Sequence, residues 1–346
     1  MKTVPGMTEA PHDVTFLDAT SADLVDAYLI ARGLAVAADL PSRIARAGEG
    51  NMNLTLRVTL RDRSLILKQG RPWVEKYRHI PAPWERTLVE GAFYDAVRGW
   101  PDVAERMPAL LHLDARDRII VLEDLGSAGD YTSVYAGGSI DGPDFDSLIT
   151  WLAALSRVKP PWAGLANRAM RELNHEHIFT LPLSAGNGLD LDAVTPGLSS
   201  AALALQQDMP YRARVAALGT RYLADGTALV HGDFFPGSWV RTSRGVRIID
   251  PEFCFAGTRE FDYGVMLAHL AFGGVDAVTA SRVLDAARGD GLDEGLLLGF
   301  AGVEIMRRLL GVAQLPLSFG LQGKQHLLTL SHHLVMAPES ALSCWP

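Results

Sequence analysis

The stretch that decides the fold runs His231-Gly-Asp-Phe-Phe-Pro-Gly-Ser238, then Trp239-Val-Arg-Thr242, then Val246-Arg-Ile-Ile-Asp250. Its two short apolar runs flank Ser243-Arg244-Gly245, which predicts strand, turn and strand. A hairpin brings its ends together, so Asp233 and Asp250 are expected to converge at one edge of a cleft. Phosphoryl transfer needs two such carboxylates. One orients and deprotonates an attacking hydroxyl, and the other holds a magnesium ion that bridges the phosphates. Glu252, two residues further on, offers another hard oxygen of the kind magnesium prefers.

Upstream, Ser21-Ala-Asp-Leu-Val-Asp-Ala-Tyr-Leu-Ile-Ala-Arg-Gly-Leu34 has helical spacing, with Ser21 as its expected cap. Asn53-Leu-Thr-Leu-Arg-Val-Thr-Leu60 alternates and predicts a strand. Ser64-Leu-Ile-Leu-Lys68 predicts its hairpin partner, and Ile119-Ile-Val-Leu122 a buried strand. A helix is expected over 84–97. After Glu123-Asp-Leu-Gly126 the pattern turns mostly helical, over 148–158, 199–207, 211–223, 264–272, 277–287 and 296–313. A strand-rich front and a helical back imply an α+β, bilobal architecture. Residues 1–122 are expected to form the first lobe, 123–127 a hinge, and 128–346 the helical lobe.

Composition excludes several classes. The 346 residues are 48% hydrophobic, enough for a substantial core. With 32 basic and 40 acidic residues the net charge is −8, and no basic block appears, so nucleic-acid binding is not expected. Glu304, Arg307 and Arg308 interrupt the longest apolar run, which falls short of the roughly 20 residues a membrane helix needs. Neither Cys254 nor Cys344 belongs to a C-x-x-C pair. With no signal-like start, these features point to a cytoplasmic protein.

The H-G-D segment resembles the catalytic loop of the aminoglycoside phosphotransferase and choline kinase superfamily, which has a protein-kinase-like fold. That resemblance implies a β-rich N-terminal lobe and a mostly helical C-terminal lobe. By it, Asp233 is the catalytic base, Ser238 stands where the family usually has asparagine, and Asp250 is the principal metal ligand, with Glu252 beside it. Ala47-Gly-Glu-Gly-Asn-Met-Asn53 resembles the phosphate-covering loop, placing Gly48, Gly50, Asn51 and Asn53 at the nucleotide. Lys68 matches the phosphate-binding lysine and Glu90 its ion-pair partner. Glu123-Asp-Leu125 matches the hinge whose backbone meets adenine, and Asp262 the aspartate that braces the catalytic loop.

Within the superfamily, Gly48-Glu-Gly-Asn-Met-Asn53, Lys68-Gln69, the H-G-D-x-x-x-G-S octet and Asp250-Pro-Glu-Phe253 are most similar to the 5-methylthioribose kinase subgroup. Phe235-Pro236 departs from that subgroup's His-Thr. Glu304-Ile-Met-Arg-Arg308 resembles its late helix with twin arginines. Guanidinium groups suit phosphate oxygens and sugar hydroxyls, so Arg307 and Arg308 are candidates to steady substrate or transition state. The competing expectation is an ordinary i,i+4 pair between Glu304 and Arg308.

The resemblance thus implies ATP- and Mg²⁺-dependent phosphorylation of a small hydroxylated metabolite, 5-methylthioribose or a relative, by a homodimer. Alternatives are an aminoglycoside-, choline- or homoserine-type kinase, or an inactive nucleotide-binding module.

Overall fold

The computed structural model describes residues 14–48, 52–126 and 129–345. Contacts divide the chain into two compact units. The first comprises Met1–Ala128, Pro160–Met170 and Asp250–Phe253, and the second Gly129–Lys159, Arg171–Ile249 and Cys254–Pro346.

The first unit is built on a five-stranded antiparallel sheet. Its strands are β1 (Arg43–Arg46), β2 (Leu54–Thr59), β3 (Ser64–Gln69), β6 (Leu110–Asp114) and β7 (Ile119–Glu123), ordered β1-β2-β3-β7-β6. A separate hairpin joins β4 (Trp73–Val74) to β5 (Tyr77–Pro81). Alternation puts Leu54, Leu56 and Val58 of β2, with Leu65 and Leu67 of β3, into one core. Val25, Tyr28 and Leu29 from helix α1 (Ala22–Ala31) complete it. Each such large side chain contributes about 1.5–3 kcal/mol on burial. Ser21 does occupy the N-cap of α1, but its side chain makes no capping bond.

Lys68 is one residue out of phase with that core face. It pairs across the sheet with Thr55 and Ile120, and its side chain meets helix α2 (Arg86–Val97) on the other face. The two-residue strand period therefore decides which side of the sheet carries the ammonium group.

In the second unit, β8 (Ala228–Val230) pairs with β11 (Phe255–Gly257), and β9 (Trp239–Thr242) forms the expected hairpin with β10 (Gly245–Ile248). Helices α3 (Gly142–Leu155), α4 (Leu198–Gln207), α5 (Met209–Leu223), α6 (Glu260–Phe272), α7 (Ala277–Gly289), α8 (Glu294–Leu310) and α9 (Leu321–Met336) supply most of its mass. Every residue of α6 is buried. Two glycines let its neighbours close in. A Cβ on Gly264 of α6 would stand 2.8 Å from Leu297 O of α8, and one on Gly302 of α8 would stand 2.7 Å from Ser331 O of α9. The helix carrying the twin arginines is thus packed tightly on two sides. Among the described residues, no helix is long and apolar enough to cross a membrane.

Candidate active site

The first unit gathers four of the anticipated residues, Glu90, Asp250, Glu252 and Asn53, around Lys68. Its Nζ donates to Glu90 Oε1 at 2.8 Å and Oε2 at 2.7 Å, and also closes on Asp250 Oδ1. Both Lys68 and Glu90 are buried, while the Asp250 side chain is 42% exposed. Glu252 is buried beside them and accepts a 2.6 Å bond from Asn53 Nδ2. Asn53, anticipated at the nucleotide, is buried here. Its Oδ1 accepts from Arg86 Nε at 2.7 Å, and that nitrogen lies 3.8 Å from Glu252 Oε2.

Three carboxyls crowd one ammonium group in this cluster. Burial opposes the Lys68 charge, but Asp250 and Glu90 outweigh it and hold the lysine well above its ordinary range. Burial pushes Glu90 up to about 7 against the pull of Lys68. Burial, helped by the neighbouring Asp250 charge, pushes Glu252 up to about 8. With Glu90 and Glu252 pushed towards their neutral forms, an incoming cation would favour ionising them.

The other described first-unit candidates are Gly48, Glu123 and Leu125. Gly48 sits exposed in a turn after β1 with φ +68°, in the left-handed region that favours glycine. Gly50 and Asn51 lie outside the described residues. Glu123 ends β7, where its N–H donates to Ala109 O at 2.9 Å and its Oε2 accepts from Ala109 N at 3.2 Å. Leu125 is half-buried and follows the strand outside any regular element.

The second unit assembles the H-G-D loop. Asp262, in the first turn of α6, accepts from His231 N at 2.6 Å and Gly232 N at 2.9 Å, as a bracing residue should. Burial pushes its carboxyl up to about 7, although the two backbone bonds pull the other way. His231 is fully buried, and its Nε2 meets Ile249 O at 3.0 Å, so it shapes the loop. Phe234 stacks on Trp151 at 5.3 Å between ring centroids, anchoring the next residue. Ser238 Oγ donates to Asp233 O at 3.0 Å, a bond within the loop itself.

Asp233 stands between the twin arginines. Its Oδ1 receives Arg308 Nη2 at 3.0 Å and Arg307 Nη2 at 3.3 Å. Glu304 binds both from behind, with Oε1 2.8 Å from Arg308 Nε and Oε2 2.6 Å from Arg307 Nε. The ordinary helical pair between Glu304 and Arg308 therefore forms, and both arginines also contact Asp233.

Two side chains escaped sequence reasoning. Arg86 donates to the carbonyls of Met52, Arg71, Pro83 and Trp73 at 2.6, 2.7, 2.8 and 3.2 Å. Those acceptors are backbone atoms and leave no trace in side-chain spacing. His269 is fully buried on α6, with Nε2 3.0 Å from Glu304 Oε1. A single imidazole in the apolar run Val265-Met-Leu-Ala-His-Leu-Ala-Phe272 was the available signal.

Residues 43–298 match the family described as APH, phosphotransferase enzyme family. The chain is similar to methylthioribose kinase from Exiguobacterium sibiricum, with 26% identity over 90% of this chain and 92% of that protein. It is also similar to methylthioribose kinase from a Geobacillus species, with 24% identity over 88% of each. Among solved structures, choline kinase LicA from Streptococcus pneumoniae matches with TM-score 0.50 at 12% identity, covering 92% of this chain and 99% of that one. LicA in complex with AMP matches with TM-score 0.51 at 10% identity, covering 94% and 99%. These structures share the protein-kinase-like fold of a β-sheet N-terminal region and a helical C-terminal region. With a family match that spans most of its length, the chain belongs to the phosphotransferase enzyme family.

Proposed function

We propose that the chain transfers the γ-phosphoryl group of ATP to the 1-hydroxyl of 5-methylthioribose or a closely related sugar. The bridging of Asp233 Oδ1 by two guanidinium groups carries the acceptor side of this reading. Both arginines engage Oδ1, which leaves Oδ2 to accept the proton of the acceptor hydroxyl. Cations beside the base suit a neutral sugar that becomes a phosphate ester, and they would repel a polycationic acceptor. Similarity to methylthioribose kinases over about nine-tenths of the chain supports the choice of sugar.

On the donor side, Lys68, oriented by Glu90, would bind the α- and β-phosphates. Residues up to 122 would form the donor lobe and 123–127 its hinge, with Glu123 and Leu125 presenting backbone to adenine. Gly48, Gly50 and Asn51 would cover the phosphates. Asn53 would act indirectly, through its bond to Glu252.

The donor set fits magnesium. Among the described residues, no three His, Cys, Asp or Glu side chains form a ready-made cage. Magnesium instead usually takes one or two carboxylates alongside phosphate oxygens and waters. Asp250 offers a half-exposed carboxylate for it, with Glu252 next to it, and the family resemblance makes the Ser238 hydroxyl a further candidate oxygen. When bound, the ion neutralises charge on the phosphates. ATP as donor makes the cytoplasm the proposed location, and the family resemblance makes a homodimer the proposed assembly.

The test is ADP release over a panel of sugars, with the product identified by phosphorus NMR. The expected result is a 1-phosphate of 5-methylthioribose. Turnover confined to amino alcohols or aminoglycosides would overturn the acceptor assignment.

A further inference from the structure

Behind Asp233 the second unit buries polar groups that the transfer reaction does not itself consume. Glu304 is 1% exposed. Its two oxygens take the Nε–H groups of Arg307 and Arg308, while each arginine turns Nη2 to Asp233. Adjacent helical residues point about 100° apart. Glu304 lies three residues before one arginine and four before the other, so it sits on the helix face between them. A guanidinium group is planar, and fixing Nε fixes the plane in which Nη2 projects.

The carboxylate has its own support. His269 Nε2 lies 3.0 Å from Glu304 Oε1, and His269 Nδ1 lies 2.5 Å from the Tyr135 hydroxyl. Burial disfavours charge on Glu304, but Arg307 and Arg308 outweigh it and hold its carboxyl well below the usual range. An ionised carboxylate only accepts, so Nε2 carries the imidazole proton and Tyr135 donates to Nδ1. Burial keeps His269 neutral by lowering it to about 4. The Phe235 ring closes the assembly, 4.9 Å under the Arg308 guanidinium and 5.3 Å from the His269 ring.

We propose that Glu304 is the positioning residue that aims both arginines at Asp233, and that His269, held in one tautomer by Tyr135, fixes Glu304. This rests on the kinase reading above. Two guanidinium groups, two carboxylates and a neutral imidazole balance in charge. When Asp233 takes the acceptor proton, one net positive charge is left, aimed by Glu304 at the arriving phosphoryl group.

Glu304→Gln keeps the shape and removes the charge. It is expected to lower kcat by about 100-fold while leaving the KM for ATP within about twofold. Two imidazole substitutions supply the control. His269→Gln can still place an amide near Nε2 and should stay within about threefold of wild type. His269→Asn can place one only near Nδ1 and should lose about tenfold. Unchanged kcat per folded molecule in Glu304→Gln, or losses in the two His269 variants that simply follow their thermal stability, would overturn the proposal. If Glu304→Gln does not fold, the His269 pair decides.

Nitrogen-15 NMR of the arginine Nε–H groups gives a readout that needs no acceptor. Arg307 and Arg308, assigned through their lysine variants, should show slowly exchanging signals that disappear in Glu304→Gln. Wild-type protein that shows those signals but no sugar turnover would refute the sugar-kinase reading and uphold the clamp. Fast-exchanging signals in active wild-type protein would do the reverse.

Discussion

Arg308 Nη2 lies 3.0 Å from Asp233 Oδ1, so the carboxylate assigned as base already has a cation on one of its two oxygens. The assignment makes a sharp prediction. Asp233→Asn keeps an oxygen for the arginines but cannot take a proton. It should lower kcat by about 10³-fold or more. Nucleotide affinity, measured by calorimetry with ADP and magnesium, should change little, because Lys68, Glu90, Asp250 and Glu252 keep their places in the first unit and the Ser238 hydroxyl bonds the Asp233 backbone, which the substitution leaves intact. Turnover near the wild-type rate would remove Asp233 from the role.

Lys68→Met tests the buried ion pair. Without its cation, Glu90 stays enclosed beside Asp250 and Glu252. A raised carboxyl value means that the native state holds a proton the unfolded chain has lost, so stability falls as pH rises through the native value. With lysine present that value is about 7 for Glu90, and its removal moves it higher. Urea unfolding should show a loss of about 3 kcal/mol at pH 8 and roughly half that at pH 6. An equal loss at both values would argue against a protonated Glu90.

Arg86→Lys should be far from conservative. One ammonium group has three donors and cannot reproduce the planar reach to Asn53 and four backbone carbonyls. The expected cost is about 3 kcal/mol in stability. A raised KM for magnesium-ATP should accompany it, because Asn53 Oδ1 loses the Nε–H that holds it while Asn53 in turn holds Glu252. A Tm within about one degree of wild type would contradict this reading.

His269 governs the acid side. Its native value of about 4 lies below the ordinary 6.5, so between those two values the unfolded chain binds a proton that the native protein refuses. Stability contributed by His269 is therefore present above about pH 6.5 and lost as pH falls towards 4, by about 3 kcal/mol in full. In His269→Asn this step should be missing. The difference in unfolding free energy between variant and wild type should shift by that amount from pH 7 to pH 4, measured by urea titration at each pH.

Much of the architecture was legible because local pattern and tertiary demand coincide. The alternation of Leu54, Leu56 and Val58 serves one buried face, and Lys68 falls out of phase with that face. H-G-D, Asp250 and the twin arginines stand out because charge in apolar surroundings needs a reason. Other parts lacked a local signal. Arg43–Arg46 is an edge strand with little burial, so no alternation marks it. The polar residues of α9 obscured a helix of sixteen residues. The supports of the site, Arg86 on Asn53 and His269 on Glu304, join positions 33 and 35 apart in sequence. Such pairs are set by packing and cannot be read from spacing.

Asp250 has φ +68°, a left-handed backbone for a residue that bears a side chain. Such a backbone costs an ordinary L-residue roughly 1–2 kcal/mol, less for aspartate and asparagine. Position 250 therefore answers to two filters at once, one conformational and one chemical. Glycine passes the first and fails the second, glutamate meets the reverse fate, and asparagine keeps the bend while removing the charge. Among random replacements, very few should remain both well folded and active, and this narrow tolerance would be visible in a saturation library scored for folding and for sugar phosphorylation.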